Sequence, residues 1–361
     1  MKLPFALPTM SWNGHERVKA EDCFLFTRQL HVLQHSGVPL LASLQALQEQ
    51  LDSPALKQVL RKVHQDLLEG RTFSQALAQH PRVFGPVYLG LIRVGETGGL
   101  LDDTLRQLAQ LLEWEMELRN RLRDALQYPM IVLTTLSIAL TVIAVFVLPR
   151  FAQMFESFHI PLPIQTRLLI GLSHLISHWG WLMALLALVG VWAWWQYLRT
   201  ETGLLRWHTW KLRLPLLGQV FLQISMSRFA RVTAAMTASG VPILETLALA
   251  GEIVNNRYVS SRLRIVRNRV KGGGSLAGAM KSERVFPSIV TQMVTTGEET
   301  GRLDELLRSV SDYYDQQVAY SLKRLITLIE PLLIVFVGLG VLLMATAVFV
   351  PMWDMVKMFK H

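Results

Sequence analysis

Cysteine is almost absent from the chain, since Cys23 is the only one among 361 residues. A single thiol excludes a disulfide framework, which suits domains that face a reducing cytosol. Charged side chains are also scarce: 17% of residues are charged and 51% are hydrophobic, whereas an ordinary soluble domain has about 25% charged residues. The composition therefore favours a membrane protein.

Signatures of catalysis are missing as well. No G-x-x-x-x-G-K-[ST] string occurs, and its absence argues against an ATPase site within the chain. The glycines at Gly70 and at Gly272-Gly273-Gly274 are instead predicted to end helices with positive φ. We therefore expect no ATPase site within the chain, and no cofactor is predicted.

An internal repeat is the main positive feature of the sequence. Gly95-Glu96-Thr97-Gly98-Gly99-Leu100-Leu101-Asp102 returns 202 positions later as Gly297-Glu298-Glu299-Thr300-Gly301-Arg302-Leu303-Asp304. Pro129 and Pro331 keep that offset, and matches further upstream occur at an offset of 203. Such an alignment, with one gap, predicts two copies of one module.

Within each copy, apolar periodicity and helix-breaking residues predict six short helices. Thr72 and Gln75 resemble a capping box, and Pro86 is expected to start a helix that ends at Gly95. Glu115 with Arg119, and Glu117 with Arg121, have the spacing of i,i+4 ion pairs. In the first copy the expected helix starts are Glu21, Pro39, Pro54, Thr72, Pro86 and Leu101.

Three apolar stretches are long enough to cross a hydrocarbon core about 30 Å thick. They are residues 125–149, 168–198 and 325–353. The other expected segments are a tail (1–20), helical module 1 (21–124), an external loop (150–167), helical module 2 (199–324) and an external tail (354–361). The predicted fold class is an all-α integral membrane protein with two homologous antiparallel six-helix cytosolic bundles and three transmembrane helices.

Flanking charge predicts the orientation. Arginine and lysine cluster before residue 125, after residue 198 and before residue 325, so both modules and the N-terminus are expected in the cytosol and the C-terminus outside. Residues 199–324 contain eighteen basic and ten acidic side chains, whereas residues 1–124 contain fourteen of each. A basic excess could serve to bind nucleic acid, anionic lipid or an acidic protein. The simplest explanation is topological, because cytosolic segments of membrane proteins are rich in lysine and arginine. The candidate contacts for an acidic partner or for lipid are Arg262, Arg264, Arg267, Arg269 and Lys271, and charge reversal at Arg264 and Arg267 would test them.

The repeated glycines and glutamates, together with Pro129 and Pro331, are candidate structural or interface residues. Gly95 and Gly297 are predicted to be left-handed at the ends of their helices. Glu96 and Glu298 would then lie in a turn, where each either bonds N–H groups of the next helix or faces a partner. Glu330 lies just inside the third span, so it either snorkels to water or contacts another span or protomer.

Histidine pairs raise the question of a metal. His31 with His35, and His174 with His178, are spaced i,i+4, yet neither pair has a carboxylate or cysteine at ligand spacing in the sequence. Packing is therefore expected for both pairs, and no metal site is predicted. Asp102-Asp103 is explained by the favourable interaction of acids with a helix N-terminus.

Several motifs together resemble the general secretion pathway protein F family, the inner-membrane platform proteins of type II secretion systems and type IV pili. The resemblance covers about residues 19–357. The motifs that carry it are the paired Gly-Glu-x-x-Gly-x-Leu strings, Phe26-Thr27-Arg28-Gln29-Leu30, Ser36-Gly37-Val38-Pro39-Leu40, Tyr128-Pro129, Leu148-Pro149, Leu214-Pro215-Leu216-Leu217-Gly218 and Glu330-Pro331.

The resemblance implies a non-enzymatic platform in the bacterial inner membrane. Its implied partners are a cytosolic assembly ATPase, pilin or pseudopilin subunits, other inner-membrane assembly proteins, the phospholipid bilayer and further copies of the chain, with no nucleic acid bound directly. Two alternatives fit less well. A small transporter or channel subunit lacks interior charge for a substrate path, and a membrane peptidase lacks paired aspartates within a span.

Overall fold

The computed structural model describes residues 18–142, 182, 185–186, 188–215 and 217–358. All regular secondary structure in that part of the chain is helical, and no strand occurs there. This confirms the predicted all-α class. Most of the 1–20 tail, the end of the 125–149 stretch, the 150–167 loop, the beginning of 168–198 and the last residues of 354–361 lie outside the described residues.

The first helical set contains five short helices and a long one. All six of the predicted starts are within one residue of the observed starts. The helices are α1 (Ala20–His35), α2 (Leu40–Gln50), α3 (Pro54–Leu68), α4 (Phe73–Ala78), α5 (Pro86–Gly98) and α6 (Leu101–Val142).

The second helical set follows the same order. Its four helices between residues 243 and 300 contain 11, 15, 6 and 13 residues, the same lengths as α2 to α5. The helices are α7 (Glu201–Arg213), α8 (Leu217–Ala238), α9 (Ile243–Ile253), α10 (Arg257–Lys271), α11 (Leu276–Lys281), α12 (Ser288–Thr300) and α13 (Leu303–Met358). Residues 188–199 are also helical.

Local signals explain many of these boundaries. The capping box at α4 is present, because Thr72 Oγ1 accepts from Gln75 N–H at 3.3 Å and Gln75 Oε1 accepts from Thr72 N–H at 3.3 Å. Gly70 and Gly273 follow α3 and α10 with φ of +87° and +91°, which confirms their prediction as helix stops. Side chains with a Cβ rarely adopt this conformation, so glycine is favoured there.

The predicted left-handed turn at Gly95 and Gly297 is wrong. Both glycines are buried inside helices, because α5 continues to Gly98 and α12 to Thr300. The left-handed residues are Gly99 and Gly301, with φ of +69° and +71°. At the end of α5, Leu100 N–H donates to the Gly95 carbonyl at 2.7 Å. This bond belongs to a Schellman end, in which the left-handed residue follows the last full turn.

The chain divides into two compact units. The first combines the described residues of Met1–Arg121 with those of His208–Tyr320, and so contains α1 to α5 together with α8 to α12. One cluster of buried apolar side chains runs through both helical sets, from Phe26 and Leu30 in α1 to Leu307 and Tyr314 in α13. The two sets therefore share a core.

The second unit comprises the described residues of Leu122–Trp207 and Ser321–His361. Many of its large apolar side chains are exposed, among them Ile131, Ile138, Leu188, Val191, Leu332, Ile334 and Leu339. Among the described helices, one is long and apolar enough to cross a membrane: α13, over Leu303–Leu342, has an 18-residue stretch of mean hydropathy 2.5, of which 11% is buried.

Candidate functional site

Glu96 lies within α5, and its carboxylate closes the N-terminus of α4. Oε1 accepts from the Phe73 N–H at 2.5 Å, and Oε2 accepts from the Ser74 N–H at 3.0 Å and from the Ser74 hydroxyl at 2.6 Å. The first N–H groups of a helix have no intrahelical acceptor and form the positive end of its dipole. A carboxylate at this place therefore satisfies two backbone donors and stabilises the short helix.

Glu298 has the same role in the second helical set. Its carboxylate accepts from the N–H groups of Leu276 at 2.6 Å and Ala277 at 2.8 Å, which begin α11. From the sequence, each glutamate is expected in a turn, where it either bonds N–H groups of the next helix or faces a partner. The structure corrects this, because each glutamate lies inside a helix and caps a helix that begins earlier in the chain, 23 residues before Glu96 and 22 residues before Glu298.

Cys23 offers a reporter for the stability of the first unit. The side chain is buried in α1, and burial raises the pKa of its thiol to about 12. Maleimides react with the thiolate, so the folded protein should be labelled slowly near neutral pH. The labelling rate of the detergent-solubilised full-length chain therefore measures how often α1 opens.

We expect Glu96→Ala to destabilise the α4–α5 pair by about 2 kcal/mol, since two backbone N–H groups lose a charged acceptor. Cys23 should then be labelled roughly 30 times faster than in the wild type. Glu96→Gln should have about half the effect on the free energy, because an amide keeps one acceptor oxygen. Glu113→Ala, at an exposed position on α6, serves as the control, and wild-type labelling of Glu96→Ala would disprove the cap.

The repeated glycines allow each helix to lie close to the start of the next one. A Cβ on Gly95 would overlap Thr104 Oγ1 and would lie 2.8 Å from Thr104 Cγ2. A Cβ on Gly297 would lie 2.9 Å from the Leu303 Cα. Close packing, and not backbone conformation, therefore explains why glycine recurs at these two positions.

Some of the basic side chains of α10 form ion pairs within the protein, and others are exposed without a partner in the part of the chain that the structure describes. Arg262 and Arg269 both pair with Glu283, at 3.3 and 3.5 Å, and the Glu283 side chain is 9% exposed. Arg264, Arg267 and Lys271 are exposed, with no ion pair among the described residues. Of the five candidate partner contacts, these three remain available on the surface.

His208 of α7 anchors the start of α10. Its Nδ1 accepts from the Arg257 N–H at 2.8 Å, so this nitrogen must be unprotonated. Burial lowers the pKa of His208 to about 4, with further contributions from the positive charges of Lys211 and Arg257. The imidazole is therefore neutral at physiological pH and keeps its acceptor.

A polar network joins the two helical sets inside the first unit; we call it the seam. At its centre, Asp315 accepts from Trp114 Nε1 at 2.8 Å, from the Ser227 hydroxyl at 2.5 Å and from Arg231 at 2.8 Å. Arg231 also pairs with Asp312 at 2.7 Å. The seam consists of Trp114, Glu115, Ser227, Arg228, Arg231, Asp312 and Asp315.

The seam also corrects one predicted ion pair. Glu115 bonds to Arg228 at 2.6 Å, and both side chains are largely buried, at 17% and 10% exposure. Glu117 and Arg121 form the predicted i,i+4 pair at 3.0 Å. Helical spacing alone could not distinguish the two glutamates, because only the fold brings Arg228 beside Glu115.

Three candidates lie in the second unit. Pro129 is buried and Pro331 is exposed, and α6 and α13 continue through these prolines as helices. Glu330 is exposed, with no hydrogen bond or ion pair in the described part of the chain. The two explanations for Glu330, snorkelling and contact with another span or protomer, both stay open.

The structure brings a carboxylate to one of the two histidine pairs. Asp102, in the first turn of α6, lies within 3.4 Å of His31 and within 3.0 Å of His35. The spacing of the sequence could not reveal this carboxylate, because it comes from a residue 67 positions further along the chain than His35. His174 and His178 lie outside the described residues.

Comparison with known proteins gives a consistent result. The family model described as type II secretion system (T2SS), protein F, matches residues 26–149 and again residues 229–351. The type IV pilus assembly protein PilC of Myxococcus xanthus is 34% identical over 325 residues, which cover 90% of this chain and 78% of that protein. The type II secretion system protein F of Aeromonas hydrophila is 33% identical over 335 residues, covering 92% and 86%.

Proposed function

The chain belongs to the type II secretion system protein F family, and from this we propose that it is the platform protein of a machine that assembles type IV pili or the pseudopili of type II secretion. One observation carries the proposal: the family model matches the chain twice, over residues 26–149 and 229–351. Relatives named for pilus assembly and for type II secretion are similarly close, so both machines fit. The role is structural and involves no catalysis.

In the proposed mechanism, the platform couples a cytosolic assembly ATPase to the extraction and polymerisation of pilin or pseudopilin subunits. The shared core and the seam support this idea, because a force applied to one helical set is transmitted to the other through packed side chains. The remaining proposed partners are other inner-membrane assembly proteins, bilayer phospholipids and further copies of the chain.

The proposed topology has two homologous cytosolic modules, residues 21–124 and 199–324, and three spans, residues 125–149, 168–198 and 325–353. The N-terminus is cytosolic and the C-terminus external, in the bacterial inner membrane. The exposed apolar side chains of the second unit and the length of α13 support this arrangement. The arginines and lysines that flank the apolar stretches support the orientation.

Cysteine labelling of intact cells with a membrane-impermeant maleimide tests this topology. We expect Ser157→Cys to be labelled from outside, and Ser53→Cys and Ser261→Cys to be labelled only after the inner membrane is permeabilised. The native Cys23 should add little background because its thiol is buried. Labelling of Ser261→Cys in intact cells would overturn the model.

Deletion of the gene in the bacterium that encodes it tests the function directly. We expect the deletion strain to lose surface pili or the secretion of folded exoproteins, and a plasmid copy of the gene to restore the lost activity. Electron microscopy of the cell surface and assays of secreted protein distinguish the two machines. A deletion strain that keeps both activities would contradict the proposal.

The same strain tests whether Arg264 and Arg267 contact an acidic surface of the ATPase. Because these exposed arginines have no partner of their own in the described structure, reversing both charges should lower co-purification of the ATPase about tenfold at low salt. Arg61→Glu with Lys62→Glu makes the same charge change on α3 and should have no such effect. Equal recovery of the ATPase with both double variants would exclude this contact.

A further inference from the structure

Three potential metal ligands meet at the surface of the first unit, where the end of α1 lies beside the start of α6. His31 Nε2 is 3.4 Å from Asp102 Oδ1, and His35 Nδ1 is 3.0 Å from Asp102 Oδ2. One ligand atom from each of the three side chains lies within 4.8 Å of the other two. The imidazole rings are stacked, with centroids 5.8 Å apart and planes inclined by 30°.

The carboxylate in this cluster is incompletely satisfied. Asp102 Oδ1 is inaccessible to solvent and has no hydrogen-bond partner, although 43% of the side chain is exposed. Buried polar oxygens nearly always have a partner, and a bound ion is one of the explanations for an exception. A cation between Oδ1 and His31 Nε2 would satisfy this oxygen.

From this geometry we infer that His31, His35 and Asp102 bind a divalent metal ion of the Zn²⁺ class, with water in the remaining coordination positions. Two ligands of one tetrahedral Zn²⁺ lie about 3.4 Å apart when each is about 2.1 Å from the ion. The separation of His31 Nε2 from Asp102 Oδ1, 3.4 Å, equals that value, and the separation of His35 Nδ1 from Asp102 Oδ2, 3.0 Å, is somewhat shorter. Two imidazoles with one carboxylate favour Zn²⁺, Co²⁺ or Ni²⁺ over Ca²⁺ and Mg²⁺, which prefer oxygen ligands.

The cluster is accessible to an ion from solution and joins distant parts of the chain. The His35 side chain is 72% exposed, whereas that of His31 is 21% exposed, so the site opens to solvent on one side. A bound ion would link α1 to α6 across 67 residues of sequence. The inference uses side-chain geometry alone and does not rest on the proposed function.

Metal titration of the untagged full-length chain in detergent tests the site. We expect isothermal titration with ZnCl₂ to show one site per chain, and Co²⁺ to produce visible absorption bands that Zn²⁺ removes. A tenfold excess of Ca²⁺ or Mg²⁺ should leave these bands unchanged. His31→Ala and Asp102→Asn should each weaken Zn²⁺ binding at least about tenfold.

The second histidine pair provides a matched control, because His174 and His178 have the same i,i+4 spacing. The double variant His174→Ala, His178→Ala should bind Zn²⁺ as the wild type does. Protection of Cys23 from maleimide checks that each variant is folded. Absence of binding at 1 mM Zn²⁺ would disprove the site, and so would unchanged Zn²⁺ affinity in His31→Ala and Asp102→Asn. Loss of Zn²⁺ binding only in the His174→Ala, His178→Ala variant would also disprove it.

Discussion

Replacing Gly95 by valine should destabilise the first unit by about 3 kcal/mol or more, because the new side chain must displace the start of α6. The added Cβ would overlap Thr104 Oγ1 and lie 2.9 Å from Thr104 Cβ, and the branched methyl groups add further crowding. In the full-length chain in detergent, we expect Cys23 to react with maleimide more than about 100 times faster than in the wild type.

Cys23 responds to Gly95 because α5 packs against α1. The Tyr88 hydroxyl and Thr27 Oγ1 lie 3.0 Å apart in the buried interface between these helices. Both residues are buried, and Cys23 lies one helical turn before Thr27. A displacement of α5 therefore exposes the thiol.

Substitutions at two nearby glycines, Gly98 and Gly99, distinguish the effect of close packing on stability from the effect of backbone conformation. Gly98→Ala should have little effect, since its nearest neighbour, in Leu100, is 3.9 Å away. Gly99→Ala should cost about 1 kcal/mol, because the residue has φ of +69° but no atom within 4 Å of a Cβ.

A second substitution tests the contact itself. Thr104→Ala should partly restore the stability lost in Gly95→Ala, because it removes the overlapping atoms. A larger loss for Gly99→Ala than for Gly95→Val would contradict the packing explanation.

Replacing Asp315 by alanine should separate the two helical sets at the seam and cost about 3 kcal/mol. The side chain is 17% exposed and accepts hydrogen bonds from Trp114, Ser227 and Arg231. Its removal leaves the three donors without their common acceptor, and the cost is largely that of the unsatisfied groups. We expect amide hydrogen exchange in α8 to become about 100 times faster.

Asp312 is a matched control for this prediction. It lies on the same helix and pairs with the same arginine, Arg231, at 2.7 Å, yet its side chain is 58% exposed. Exposed ion pairs contribute less than about 1 kcal/mol, so Asp312→Ala should change the exchange of α8 little. If Asp315→Ala and Asp312→Ala accelerate hydrogen exchange in α8 equally, burial of Asp315 does not add to the stability of the seam.

The same variant tests the role of the seam in function. If Asp315→Ala fails to restore pilus or pseudopilus assembly in the deletion strain while it still inserts into the membrane, docking of the two helical sets is required for function.

Local features of the sequence determined the helices and most of their ends. A proline in the first turn, as at Pro54, and a glycine after the last turn, as at Gly70, act within a few residues, so their effects can be read without the fold. The capping box at Thr72 is of the same kind. The internal repeat and the resemblance to the protein F family likewise depended only on the order of residues, and the comparisons agree with that family.

Contacts between distant residues were decided by the tertiary structure. Glu96 bonds to N–H groups 23 and 22 residues earlier, Asp102 contacts a histidine 67 residues earlier, and Glu115 pairs with an arginine 113 residues later. The sequence assigned each of these acids to its own turn or helix, because only such neighbours are predictable from spacing. Which side chains meet across helices depends on how the helices pack. For the same reason the sequence predicted a turn at Gly95. In the structure, glycine is required there because Thr104 lies too close for a Cβ.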